Sequence, residues 1–231
     1  MQYSTFLIDL DHTLFDSDAS ESAALRLAMS TAGITEADGY AADFRRINLG
    51  LWAMVERGEM IPQQVRTLRF EMLVQEAGLD ADPQTMAEAY VLGLGANGGL
   101  YSGALDVLEH LSRHASLSLL TNGLSEVQRT RVDRTGIAEY FESIVISAEV
   151  GVAKPHTGIF DIAFGQLGSP RKETALMVGD SLSSDIQGGT NYGIATCWYN
   201  PYRTPAGPGD NISHEIHALE ELHAYVVGYR G

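Results

Sequence analysis

Short apolar runs at 6–8, 117–120, 144–146, 175–178 and 194–198 mark five buried strands. Between residues 100 and 193 they alternate with stretches of helical character. One covers 103–113. A second closes at Gly136, with Ser125 and Gln128 at capping-box spacing near its start. A third is opened by Pro155 and carries Ile159, Ile162, Ala163 and Leu167 on one face; a fourth runs from Ser183 or Ser184 to Gly193. Strand–helix–strand repetition at this pitch predicts right-handed crossovers and an α/β fold, a Rossmann-like doubly wound parallel sheet.

Residues 18–98 have a different texture. Helices are predicted over 20–31, 41–57, 62–77 and 83–94, and Phe44, Ile47, Leu51, Met54 and Val55 follow the helical period. Pro62 and Pro83 sit where a first helical turn tolerates proline, and Gly33, Gly58 and Gly78 fall near helix ends. The glycine-rich run 93–99 reads as a hinge. The expected organisation is an α/β core of residues 1–17 and 99–231, with an all-helical cap domain, 18–98, inserted after the first strand. Residues 200–210, rich in Pro and Gly, read as an irregular surface loop.

A chain of 231 residues with 45 % apolar content is able to bury a full core. No apolar run approaches the roughly 20 residues of a membrane-spanning helix, and the first strand begins too early for a signal peptide. The single cysteine, Cys197, lies inside the last apolar run and reads as packing in a reducing compartment, so the cytoplasm is the expected address. A net charge of −15 argues against nucleic acid polymers, whose binding needs Lys and Arg against phosphates. It leaves room for a small anionic substrate, which responds to the local field. A monomer or homodimer is expected.

The apolar runs lead into chemistry. Asp9 and Asp11, two apart at a strand end, point the same way. One carboxylate can attack phosphorus while the other protonates the leaving oxygen and then deprotonates water. Crowding raises the pKa of one of the pair, which suits the acid role. Thr121-Asn122-Gly123 offers a hydroxyl and successive backbone N–H groups to phosphoryl oxygens. Lys154 follows the small residues 151–153 and supplies the cation that a phosphoryl transition state needs. Asp180 follows a wholly apolar strand; with Asp9 and the Asp11 carbonyl it makes an oxygen donor set for Mg²⁺. Asp185, in the first turn of the next helix, has two readings: a water-mediated metal contact, or a complement to the helix dipole.

Taken together, Asp9-Leu10-Asp11-His12-Thr13, Thr121-Asn122-Gly123, Lys154-Pro155 and Gly179-Asp180 with Asp185 resemble the four motifs of the haloacid dehalogenase-like (HAD) hydrolase superfamily. The resemblance covers essentially the whole chain. It implies a Rossmann-like core with a helical cap, Mg²⁺ dependence and an aspartyl-phosphate intermediate. It also implies Asp9 as nucleophile, Asp11 as general acid and base, and Thr121 and Lys154 as the grip on the phosphoryl group. The implied metal set is Asp9, Asp11 and Asp180, with Asp185 in support. The dehalogenase branch lacks the second aspartate of the first motif, so Asp11 points to phosphate rather than halide.

Substrate choice falls to the cap. The stretches 47–52, 56–58 and 69–70 are similar to pyrimidine 5′-nucleotidases of the house-cleaning type. That resemblance makes the partner a nucleoside monophosphate, with Asn48 bonding the base edge and Trp52 or Phe70 giving it an aromatic surface. Packing is the commoner use of a helical Phe. Alternatives are a phosphatase acting on a sugar phosphate or on N-acylneuraminate 9-phosphate, a phosphomutase, and a non-catalytic binding protein on the same fold. Intact Asp9, Asp11, Lys154 and Asp180 speak against the last. Cap opening about 16–18 and 93–99 is expected to gate entry.

Overall fold

The computed structural model describes residues 2–226. Strands β1 (Thr5–Ile8), β2 (Ser116–Thr121), β3 (Ser143–Ile146), β4 (Ala175–Gly179), β5 (Ala195–Tyr199) and β6 (His214–Ile216) form one parallel sheet in the order 3-2-1-4-5-6. Helices α1 (Ser17–Thr31), α2 (Ala41–Glu56), α3 (Pro62–Ala77) and α4 (Pro83–Ala96) follow β1. The others are α5 (Ala104–Ser112), α6 (Ser125–Thr135), α7 (Ser147–Val150), α8 (Thr157–Gln166) and α9 (Gln187–Tyr192). This is the expected α/β architecture. The short edge strand β6 is an addition, because three residues behind a Pro- and Gly-rich loop make no apolar run.

Strand periodicity builds the core. Phe6 and Ile8 face one side of the sheet, with Leu108, Leu119 and Val178. Leu7 faces the other, with Leu120, Met177 and Phe160. Cys197 is buried in β5, as packing requires. Helices α1–α4 supply most of a third cluster around Phe44, Phe70 and Tyr90, which Leu124 and Ala153 of the sheet-edge loops and Val127 of α6 join. Among the described residues no helix is long and apolar enough to cross a membrane.

Local features depart from expectation for identifiable reasons. The run 93–99 is not a hinge through its length: α4 continues to Ala96. A Cβ on Gly93 would stand 2.6 Å from the Ala24 Cα, so glycine there lets α4 approach the α1 backbone. Ser125 and Gln128 do not form a capping box; α6 starts behind Leu124 without a side-chain cap. The Gln128 amide turns instead to Asp11 and Thr121, and Ser125 donates to Glu149. Pro155 follows a cis peptide, and α8 begins only at Thr157. A π-helical turn, Leu182–Ile186, precedes α9, which closes at Gly193 as expected.

β1 lies between β2 and β4, with Phe6 level with Leu117 on one side and Leu176 on the other. The carboxyl ends of three strands therefore open side by side at the point where the sheet reverses its direction of growth, the place where doubly wound sheets bind ligands.

Candidate active site

Asp9 extends β1, its N–H donating to the Val178 carbonyl at 2.9 Å, and its carboxylate is buried. Lys154 reaches it from the loop after α7: Nζ lies 2.5 Å from Asp9 Oδ1 and 2.7 Å from Asp185 Oδ1, and donates to the Leu120 carbonyl at 2.7 Å. Asn122 fixes that loop with a reciprocal pair. Its amide donates to the Lys154 carbonyl and accepts from the Lys154 N–H, at 3.0 and 2.9 Å.

Asp180 leaves β4 beside Asp9. Its N–H donates to Thr13 Oγ1, and the Trp198 indole donates to its carbonyl at 2.8 Å. Asp185 folds back within the π-helical turn so that Oδ2 accepts from the Ser181 N–H at 3.0 Å. Only a glycine at 179 leaves room for that carboxylate, since a Cβ there would overlap it. One oxygen from each of Asp9, Asp180 and Asp185 lies within 4.8 Å of the others.

Three crowded carboxylates share one cation, and their proton affinities reflect it. Burial, with Asp185 and Asp180 nearby, pushes Asp9 well above the carboxylate range despite Lys154. Asp180 is pushed up to about 7 by burial and by Asp185. Lys154 is held above its ordinary value: burial opposes its charge, but Asp185 and Asp9 together prevail. A divalent cation fits this set, because the donors are all carboxylate oxygens and carry more negative charge than one lysine neutralises.

Asp11 behaves differently from the expectation of a raised acid. Its carboxylate accepts from Ser17 Oγ at 2.5 Å, from Gln128 Nε2 at 2.7 Å and from the Arg131 guanidinium. Burial alone would raise it; Arg131 and the Ser17 hydroxyl outweigh burial and hold it below the ordinary carboxylate value. Its carboxylate does not belong to the Asp9–Asp180–Asp185 cluster.

Thr121 ends β2 fully buried, its hydroxyl accepting from Gln128 Nε2 at 2.7 Å. The Gly123 N–H is engaged with Ser147 Oγ. Above these groups lies a cavity of about 280 Å³, floored by Asp9, Asp11, Lys154 and Asp180 and roofed by Asn48, Trp52, Arg69 and Tyr90. Phe70 does not line it. Its ring packs 5.1 Å from Phe44 and 5.4 Å from Tyr90, as a core residue. Thr13, quoted only as the end of the first motif, touches Asp180, and sequence reasoning missed Ser17, Gln128 and Arg131 as neighbours of the site. Their only signal is the i, i+3 spacing of Gln128 and Arg131 on an otherwise polar helix.

A family model for haloacid dehalogenase-like hydrolases matches residues 3–193. The chain belongs to that family. It is 35 % identical to the HAD-hydrolase YfnB of Bacillus subtilis over 96 % of this chain and 94 % of the relative. It is 34 % identical to pyrimidine 5′-nucleotidase PynA of Streptococcus pneumoniae, over 96 % and 94 % of the two chains. Pyrimidine 5′-nucleotidase YjjG of Escherichia coli is likewise 34 % identical, over 96 % and 97 %. The crystal structure of YfnB bound to magnesium superposes with a TM-score of 0.89, covering 98 % of this chain and 100 % of that one.

Proposed function

We propose that this HAD hydrolase is a Mg²⁺-dependent phosphomonoesterase acting on nucleoside 5′-monophosphates, pyrimidine nucleotides in particular. The observation that carries the reading is the convergence of Asp9, Asp180, Asp185 and Lys154 beneath the cavity that Asn48 and Trp52 roof. Similarity to two pyrimidine 5′-nucleotidases over nearly the whole chain supports the substrate class.

Asp9 attacks phosphorus, forming an acyl phosphate and releasing the nucleoside oxygen, to which Asp11 gives a proton. Ionised Asp11 then takes a proton from the water that hydrolyses the acyl phosphate. The Arg131–Ser17–Gln128 clamp favours the ionised form and so suits this second half; donation in the first half requires Asp11 to leave Arg131. Lys154 orients Asp9 and offsets charge on the phosphoryl oxygens, and the Thr121 hydroxyl, with the loop at Asn122 and Gly123, borders them. Asp9, Asp180 and Asp185 would hold Mg²⁺, with Asp11 contributing its carbonyl; the ion supplies further charge neutralisation at phosphorus. Helices in residues 18–98 act as a cap over the core formed by 1–17 and 99–231, excluding water and reading the base. The buried, lone Cys197 supports a cytoplasmic setting.

Phosphate release from UMP, dUMP, dTMP, purine monophosphates and sugar phosphates, with and without Mg²⁺, tests the proposal. Preference for pyrimidine nucleotides in the presence of Mg²⁺ is expected. Preference for a sugar phosphate or N-acylneuraminate 9-phosphate would transfer the enzyme to that class, and silence on every substrate would leave a binding protein.

A further inference from the structure

Arg69, on α3, is only 2 % exposed, yet most of its guanidinium has no partner. Nη1 donates to Asn48 Oδ1 at 3.2 Å. Its Cζ stacks 4.3 Å above the Tyr90 ring. Nε and Nη2 bond to nothing among the described residues, and neither does the neighbouring Tyr90 hydroxyl. Among the described residues, the other deeply buried arginine shows what a structural role looks like. Arg131 meets Asp11, Ser20, Gln128 and the Leu94 carbonyl. Glu21 and Glu126 favour the charge of Arg69 through the field and make no hydrogen bond to it; a buried charge without full hydrogen bonding is unfavourable, and such groups persist where something else uses them. Burial accordingly pulls Arg69 below its ordinary value.

Arg69 and Asn48 both line the cavity whose floor is Asp9 and Lys154. Nε and Nη2 share one edge of the planar guanidinium, and that edge presents two parallel N–H groups to an oxygen acceptor. With Asn48 Oδ1 turned to Arg69, the amide keeps both its N–H donors and one oxygen lone pair to offer. Arg69 and Asn48 thus bring unspent N–H donors to the cavity beside the half-buried Trp52, with the Glu21 carboxyl also in its lining. We infer that Arg69, supported by Asn48, is a specificity determinant whose free guanidinium edge takes a ring carbonyl oxygen of the substrate's base. The O2 carbonyl common to uracil, cytosine and thymine is that acceptor. The inference rests on the nucleotidase reading for its substrate class, whereas its binding chemistry stands on Arg69 alone. A carboxylate on a sugar-acid phosphate offers the same kind of oxygen, and the test separates the two.

Arg69→Met keeps the stem and removes the fork. Asn48→Asp leaves the fork in place but gives it an internal carboxylate that competes with ligand. For wild type and both variants, kcat/KM is measured on UMP, phenyl phosphate and N-acylneuraminate 9-phosphate, alongside calorimetric UMP binding and thermal melting. The UMP to phenyl phosphate ratio of kcat/KM is expected to fall at least tenfold in each variant. UMP Kd should rise by a similar factor, and neither melting temperature should drop below wild type. An unchanged ratio with unchanged UMP affinity overturns the inference, as does a lowered melting temperature with equal loss on all substrates. Selective loss on the sugar-acid phosphate overturns the base assignment in favour of a carboxylate. If wild type hydrolyses nothing while Arg69→Met weakens UMP binding tenfold, the phosphatase reading fails and the subsite stands. If wild type neither hydrolyses nor binds UMP, both fail.

Discussion

Replacing Lys154 with methionine isolates the electrostatic balance on which the site depends. The ammonium is 1 % exposed, 2.5 Å from Asp9 and 2.7 Å from Asp185, with a further bond to the Leu120 carbonyl. Methionine keeps the length of the stem and leaves three mutually crowded carboxylates without a cation. Breaking a buried pair costs about 3–5 kcal/mol, and Lys154 serves two carboxylates, so the upper half of that range is expected at pH 7.5 without metal. Against a total stability of about 5–15 kcal/mol, such a loss is easily read by urea unfolding in EDTA. The pH dependence has a definite sign. Asp180 has a folded pKa raised to about 7, so its proton-linked stability is complete below the ordinary carboxyl value and is lost as pH rises toward about 7. Lys154, raised above its ordinary value, stays charged throughout this window and contributes at both ends of it. Acidification to pH 5.5 should therefore shrink the deficit of the variant, because its carboxylates take up protons. Millimolar Mg²⁺ at pH 7.5 should shrink it as well, since carboxylates relieved of the competing ammonium bind the cation more tightly than in wild type, and each tenfold gain in affinity returns about 1.4 kcal/mol to the variant. A deficit of only about 1 kcal/mol at pH 7.5, the value of an exposed pair, or one that grows on acidification, would refute the reasoning.

Two further outcomes follow from particular contacts. Gly93→Ala should lower the melting temperature, because the new Cβ meets the Ala24 backbone at 2.6 Å and overpacking of about 1–3 kcal/mol exceeds the helix-propensity gain of about 1 kcal/mol. A raised melting temperature would mean that the glycine serves flexibility and not close packing. Asp11→Asn should slow alkyl phosphates more than aryl phosphates, since the poorer leaving group depends more on a proton donor; steady-state kcat on paired substrates reads this, and equal slowing would contradict the acid role.

The sheet was legible in the sequence because buried parallel strands are continuous apolar runs. The site was legible where a charged or hydroxyl residue interrupts such a run: Asp9 after Ile8, Thr121 after Leu120, Asp180 after Gly179. What could not be read is what helices turn inward. Gln128 and Arg131 sit on a helix that is polar on nearly every face, and only tertiary placement brings them to Asp11. The rise expected in one of the Asp9–Asp11 pair falls on Asp9 and not on the acid candidate Asp11, since a counter-charge 120 positions along the chain decides the sign at Asp11. Glycine misled at Gly93, where the sequence signal for a bend and the signal for close helix contact are the same residue. Arg69 entered only as part of the 69–70 stretch of the cap resemblance, because nothing in a string of letters marks a guanidinium as buried and half-bonded.

The most direct test of the central claim is chemical trapping of the phosphorylated protein. Wild type mixed with labelled nucleotide and Mg²⁺, quenched in acid within one turnover, should carry label that hydroxylamine releases and that maps to the peptide containing Asp9. Asp9→Asn should fold, carry no label and release no phosphate. Turnover without label in wild type, or label and phosphate release in Asp9→Asn, would contradict attack by this carboxylate.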